Sequence, residues 1–548
     1  MSNVALPALA LFSLVSSILL SIALSASEQA TLTTTLGDVT GIKKPAFNRH
    51  VEVFYGIPFA KPPVGDRRFR APQPAEPWGS EPRDGTVKPH ACWQSIDTAF
   101  ERFRGVEMWN PNTQRDEDCL YLNVWRSANE VESSNPKSIM VWIFGGGFWS
   151  GSAVLDIYDA TQLAARKDVI VVTIAYRLGP LGFMYLNNND VPGNAGLLDQ
   201  VLALQWIKDN AVNLGGSPDD ITLFGESAGA ASIGFHMLSP LSRDLFKNAI
   251  MESASPTSYW AVMDTAKASE RVAKLAANVS CPTSLGENLL ACLQAVDAER
   301  LTNQQWILVD KWFDVPIGPI VDGNFLPEHP NDMLRLGNIK MTNVIVGVDK
   351  NEGIFWDIYG FMSDFPLNKH GRLNKKQFHK IMRTIADNDN KFARELIQLY
   401  SKEPGASRLS AVDAASGDSL FKCSVVDFAR QYTEVGGQVY VYSFEENFSS
   451  DPWPDWMGVP HGYEIEVVFG LPLAPGSSNT QAEKDLTKKV MQVWTHFAKT
   501  GSTETAHVHW PLYSTETEDY VVIDVHGFQT KHRLRKKACQ LWATHQQG

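Results

Sequence analysis

The strongest chemical signal in this sequence is Gly225-Glu226-Ser227-Ala228-Gly229. It follows the short apolar run Ile221 to Phe224 and opens a run of small residues, Ala228 to Leu238. A G-x-S-x-G pattern between a strand and a helix forces a sharp turn, which lifts the serine Oγ into the open at the helix N-terminus. Ser227 is therefore a candidate nucleophile. A serine hydroxyl is weak on its own and needs a base to deprotonate it and donors to hold the oxyanion. Gly145-Gly146-Gly147-Phe148 follows another apolar run, Ile139 to Phe144. Its flexible backbone makes the N–H groups of Gly146 and Gly147 candidate oxyanion donors, with the N–H of Ala228 as the third. The acid and the histidine must then lie downstream of Ser227. Residue chemistry alone leaves several carboxylates and histidines open.

These groups need a rigid frame. Val169 to Ala175 is a β-branched run of the kind buried in a parallel sheet. Leu197, Val201, Leu204 and Ile207 repeat at helical spacing and predict an amphipathic helix over 196–214. Asn343 to Val348 and Gln438 to Phe444 read as further strands. The alternation predicts an α/β fold, a mostly parallel sheet with helices on both faces. No internal repeat or linker breaks the chain, so residues 27–548 read as one domain with long loop insertions. The 548 residues are 44% hydrophobic and 20% charged, which excludes a disordered or fibrous chain. The net charge of -12 argues against nucleic acid as a partner and favours neutral or cationic ones.

The chain begins with an almost unbroken apolar stretch, Val4 to Ala26, ending in small residues. It predicts a secretory signal peptide over residues 1–26, with an uncleaved anchor as the alternative. Six cysteines, Cys92, Cys119, Cys281, Cys292, Cys423 and Cys539, behind such a segment predict disulfides in an oxidising, extracellular compartment. Their spacing leaves the pairing open. No CxxC spacing occurs, so neither a metal nor a cofactor is expected. Asn278 and Asn447 lie in N-x-S/T sequons and are candidate glycosylation sites. Membrane attachment is expected only through a tail not present here. The basic run Lys531 to Lys537 reads as one solvated face of a terminal helix.

Recognition narrows the choice. Glu117-Asp118-Cys119-Leu120-Tyr121-Leu122-Asn123 and Phe224-Gly225-Glu226-Ser227-Ala228-Gly229 resemble the two signatures of type-B carboxylesterases, which have the α/β-hydrolase fold. The resemblance runs from about residue 30 to residue 540 and is greatest to the cholinesterases, with an invertebrate-like pattern. Gly347 to Gly353 resembles the family's acid segment and implies Glu352 as the acid. Trp456 to Glu464 is similar to its histidine motif and implies His461 as the base. The loop Glu107 to Asn112 resembles the one that carries the choline-binding tryptophan, here Trp109. Glu226 and Phe355 would complete the choline subsite. The implied fold is a twisted, mostly parallel sheet whose loops form a gorge. The implied disulfides are Cys92–Cys119, Cys281–Cys292 and Cys423–Cys539, with Glu117 paired to Arg68 beside the first. Related enzymes often dimerise through a four-helix bundle, to which a helix over 486–497 is available.

The same resemblance places Trp260, Phe313, Val315 and Trp356 around the acyl pocket. Vertebrate acetylcholinesterases carry two phenylalanines where this chain has Phe313 and Val315, and butyrylcholinesterases two aliphatic residues. The expected activity is therefore hydrolysis of acetylcholine through an acyl-enzyme, with substantial turnover of propionyl- or butyrylcholine. Asp97, Trp149, Trp306 and Tyr359 resemble a peripheral site. Ser95 and Trp149 stand where vertebrate enzymes have tyrosines, so altered peripheral-ligand binding is expected. The alternatives are a general carboxylesterase without choline preference, or a non-enzymatic adhesion protein of the same fold. Trp109, Asp97 and Phe355 argue against the first, and Ser227 argues against the second.

Overall fold

The computed structural model describes residues 29–546 except 101, 129–134, 285–286 and 366–370. Residues 1–26, expected to be a signal peptide, lie outside the described residues. The frame is a 13-stranded mixed sheet. Its centre is parallel: Ile170–Ile174, Lys137–Ile143, Gly216–Glu226, Asn248–Glu252, Asn343–Asp349, Gln438–Phe444 and Asp519–Asp524 lie side by side in that order. Antiparallel strands extend both edges. Gln29–Thr34, Gly37–Ala46, Arg49–Pro58 and Tyr121–Ser127 lie on one side, and Gly527–His532 on the other. Lys137–Ile143 and Ile170–Ile174 are buried along their whole length, which is why they read as continuous apolar runs.

Helices cover both faces of the sheet. Ala195–Leu214 and Ala228–Leu238 pack together, with His236 Nε2 2.8 Å from Gln200 Oε1. Thr161–Lys167, Ile465–Phe469 and Gln481–Thr500 form a second packed group. A separate apolar cluster joins Glu352–Gly360, Lys375–Ile385, Asn390–Tyr400 and Arg408–Gly417 to the C-terminal helix Lys536–Gln546. None of the described helices is long and apolar enough to cross a membrane.

The basic run near the C-terminus departs from expectation. Lys531 and His532 end a strand, and the last helix starts only at Lys536. Arg535 turns inward to the buried Asp418 at 2.7 Å and to Glu403 at 2.8 Å, and Lys536 pairs with Glu518 at 2.5 Å. Arg535 and Lys536 are thus paired while Lys531, Arg533 and Lys537 stay exposed, so the run is solvated in part but is not one helical face. A buried acid outcompetes solvent for a guanidinium that can bind it through two N–H groups.

Candidate active site

The sheet delivers the candidate groups to one edge. Ser227 follows Gly216–Glu226, Glu352 follows Asn343–Asp349, and His461 lies in the loop after Gln438–Phe444. All are at the carboxyl ends of parallel strands, where α/β sheets place ligands. Ser227 adopts φ 55° and ψ -122°, a conformation costly for a non-glycine residue. Its N–H donates to the Glu252 carbonyl at 2.8 Å, and its carbonyl accepts from Ala231 N at 2.9 Å. The turn requires glycine at 229: a Cβ there would sit 2.0 Å from the Ile143 carbonyl oxygen.

The neighbouring strand Lys137–Ile143 leads into Gly145-Gly146-Gly147. Gly146 and Gly147 have φ of +108° and +59°, left-handed backbone that favours glycine. Among the described residues no protein acceptor engages the N–H of Gly146, Gly147 or Ala228. The three donors are free to meet an anion.

His461 is buried, and its Nδ1 lies 2.5 Å from Glu352 Oε2. Glu352 is held in turn, because its Oε1 accepts from Asp349 N at 2.7 Å. Asp413 fixes the first turn of the Glu352–Gly360 helix by accepting from Gly353 N at 3.1 Å and Ile354 N at 2.9 Å. His461 Nε2 lies 2.9 Å from Glu226 Oε1, yet neither atom completes a hydrogen bond. Burial disfavours the imidazolium, but the carboxylates of Glu226 and Glu352 outweigh it and push His461 up to about 10. Burial raises Glu226, with His461 opposing.

Behind these groups stands a set of buried carboxyls that the sequence did not single out. Asp349 accepts from Gly462 N at 2.9 Å and Tyr463 N at 3.2 Å, so it shapes the turn that carries His461. Its carboxyl faces that of Glu464, and burial with that neighbour pushes Asp349 well above its usual range. Burial and the charge of Glu226 push Glu464 up to about 7. Glu252 accepts from Trp494 Nε1 at 2.7 Å and is also pushed well above its usual range, first by burial and then by Glu464.

Ser227 and His461 open onto a cavity of about 530 Å³. Trp109, Glu226 and Phe355 line it, as do Gly146, Phe313 and Trp356. Asp97, Trp149, Trp306 and Tyr359 line the same cavity, so the expected mouth and floor form one space. Tyr359 donates to Asp97 at 2.7 Å, and Trp149 meets Trp306 edge-on at 5.7 Å. Trp306 donates to Ser95 Oγ at 3.0 Å, so Ser95 holds the tryptophan at the mouth. Trp260 and Val315 are buried and absent from the lining, with the Trp260 ring 6.1 Å from that of Phe313. Trp356 packs edge-on against Phe313 at 4.9 Å and forms the exposed wall on that side.

Three disulfides join Cys92 to Cys119, Cys281 to Cys292 and Cys423 to Cys539. The first closes the loop that carries Trp109. Arg68 pairs with Glu117 and donates to the Gln294 carbonyl at 2.9 Å, tying that loop to a neighbouring segment. Asn278 and Asn447 are exposed. Among the described residues no group of acidic, histidine or cysteine side chains could hold a metal.

A model of the carboxylesterase family matches residues 28–542. The chain is 40% identical over 524 residues to an acetylcholinesterase of Bungarus fasciatus, covering 93% of this chain and 85% of that protein. It is 38% identical over 529 residues to a cholinesterase of Mus musculus, covering 94% and 86% respectively. The chain belongs to the carboxylesterase family and is a carboxylic ester hydrolase.

Proposed function

We propose that this protein hydrolyses choline esters, acetylcholine first and propionyl- and butyrylcholine as well. The observation that carries this reading is a single cavity with Ser227 and His461 at its floor and Trp109, Glu226 and Phe355 in its wall. Its relatives named acetylcholinesterase and cholinesterase support the substrate class. In this reading His461 Nε2 takes the proton of Ser227 Oγ as the oxygen attacks the ester carbonyl. Glu352 holds the imidazole tautomer through Nδ1 and stabilises its cation. The N–H groups of Gly146, Gly147 and Ala228 receive the oxyanion, each worth about 10²–10³ in rate. His461 returns the proton to the departing choline oxygen. Water then enters, His461 deprotonates it, and the acyl-enzyme is cleaved to carboxylate and Ser227.

A quaternary ammonium carries no N–H to donate, so it is held by aromatic faces and negative charge. The face of Trp109 is worth about 2 kcal/mol or more in a desolvated site. On the acyl side the lining holds the Phe313 and Trp356 rings and not Val315, so a longer acyl chain has to displace aromatic rings rather than fill space beside a valine. The peripheral residues Asp97, Trp149, Trp306 and Tyr359 would receive the cation first. Exposure of Asn278 and Asn447 and the apolar N-terminal stretch support a glycosylated, secreted protein.

The test is hydrolysis of acetyl- and butyrylthiocholine by the secreted protein beside Ser227→Ala. Activity on both, lost in the variant, is expected. Equal rates on an uncharged isostere of the choline ester would overturn the choline reading. Residual turnover in Ser227→Ala would overturn the assignment of the nucleophile.

A further inference from the structure

We propose that Phe421 is a positioning residue for His461: its ring stacks on the imidazole and supports the cation formed there. This rests on the reading of Ser227 and His461 as nucleophile and base. Phe421 is fully buried, and its ring lies 4.1 Å from that of His461 with 26° between the planes. Trp356 lies farther from the imidazole, at 5.8 Å and tilted by 57°. Phe421 also lies 6.0 Å from Trp260 and 6.5 Å from Phe313.

Stacking limits how the base can move. The Nδ1 contact to Glu352 fixes one end of the imidazole and leaves a swing of Nε2 about that contact. An aromatic face against the ring opposes this swing. Proton transfer from Ser227 then turns the ring into a cation lying over a π face in a desolvated site, which that face attracts.

The backbone around Phe421 is built to hold it. Asp418–Lys422 is a π-helical turn between Arg408–Gly417 and Cys423–Glu434. Such turns are rare and are frequent at functional sites. Every side of this one is pinned. Arg535 and Tyr400 hold Asp418 at 2.7 and 2.8 Å, Trp260 Nε1 donates to the Leu420 carbonyl at 2.8 Å, and Lys422 Nζ donates to the Lys350 carbonyl at 2.6 Å. The next residue, Cys423, is bonded to Cys539. A Cβ on Gly417 would come within 3.1 Å of Glu352 Cβ, so the turn abuts the residue that orients His461.

The charged groups facing His461 are Glu226 and Glu352, with Asp349, Glu464 and Glu252 behind them. Asp418 and Lys422 on the π turn are engaged by Arg535 and by the Lys350 carbonyl. Substitution of Phe421 alters none of these. Phe421→Leu keeps apolar volume and removes the aromatic face. Its kcat on acetylthiocholine should fall about tenfold, and the acid limb of kcat/KM should move down by about one pH unit, because the imidazolium loses its support. KM should change little. Trifluorophenylalanine at 421 keeps the shape and weakens the π face, so it should move the limb the same way by less. A lower kcat with the limb unmoved would overturn the proposal and leave a packing role alone. If the leucine variant fails to fold, the fluorinated protein decides in the same way. Loss of Ser227 dependence in the parent enzyme would sink the nucleophile reading instead. An intact parent profile that neither variant shifts would sink only this inference.

Discussion

Replacing Glu226 by glutamine removes one charge and keeps the shape of the site. Glu226 Oε1 lies 2.9 Å from His461 Nε2. Two unit charges at that separation interact by about 1.4 kcal/mol at the dielectric of water and by about 6 kcal/mol at an effective dielectric of 20. One pKa unit corresponds to about 1.4 kcal/mol, so even full screening leaves about one unit. The sign follows from which form the anion favours. A carboxylate beside the ring favours imidazolium, and with Glu352 it raises His461 against the pull of burial. A base must be unprotonated, so activity is lost as pH falls through the histidine's pKa. Glu226→Gln should therefore carry the acid limb of kcat/KM to lower pH by at least about one unit.

The shape of the curve should change as well. Burial raises Glu226 and His461 opposes it, so the titrations of the two groups are linked. With glutamine in place, a single histidine remains. The assay is pH-stat titration of acetylcholine hydrolysis across the acid limb, repeated with an uncharged isosteric ester. Both substrates should show the shift in the limb, and only the choline ester should show a raised KM. An acid limb that stays in place or moves up would refute the electrostatic argument.

Other parts of the site can be tested separately. Trp109→Ala should raise KM for acetylcholine about 30-fold, from about 2 kcal/mol of cation–π attraction, and leave the uncharged ester nearly unaffected. Glu352→Gln should lower kcat by about 10⁴, since the Nδ1 contact at 2.5 Å sets the tautomer; stopped turnover with unchanged thermal unfolding would show it. Trp356→Ala should raise the ratio of butyryl to acetyl kcat/KM at least about tenfold, because that ring and Phe313 form the acyl wall. Removing the Cys423–Cys539 bridge, which spans 116 residues, should lower stability by up to about 5 kcal/mol in denaturant titration.

Contiguous signals were the most legible. The strand Gln438–Phe444 and the helix Ala228–Leu238 have the bounds their patterning suggests, because buried parallel strands and close-packed small-residue helices write themselves into short windows. The strand before Ser227 runs from Gly216 rather than Ile221, since its polar start is irregular in register and carries no apolar pattern. The antiparallel edge strands were also missed, because their half-exposed residues mix polar and apolar positions. Phe421 and the carboxyls of Glu252, Asp349 and Glu464 were illegible for another reason. They come from separate strand ends and a π turn, and only the sheet order makes them neighbours.

That sheet order also accounts for how so many acids can share one buried site. Each central parallel strand ends near the same floor, and Glu226, Glu252 and Asp349 are the last residues of three that lie side by side. Five ionised carboxylates there would repel one another and be desolvated at great cost. Burial instead pushes Asp349 and Glu252 well above the usual carboxylate range, which disfavours their charged forms there. Asp349 shapes the His461 turn by accepting from Gly462 and Tyr463. Negative charge at the floor is best placed at the carboxyls in contact with His461, those of Glu226 and Glu352. There it meets both cations of the proposed reaction, the imidazolium formed at proton transfer and the ammonium of the bound ester.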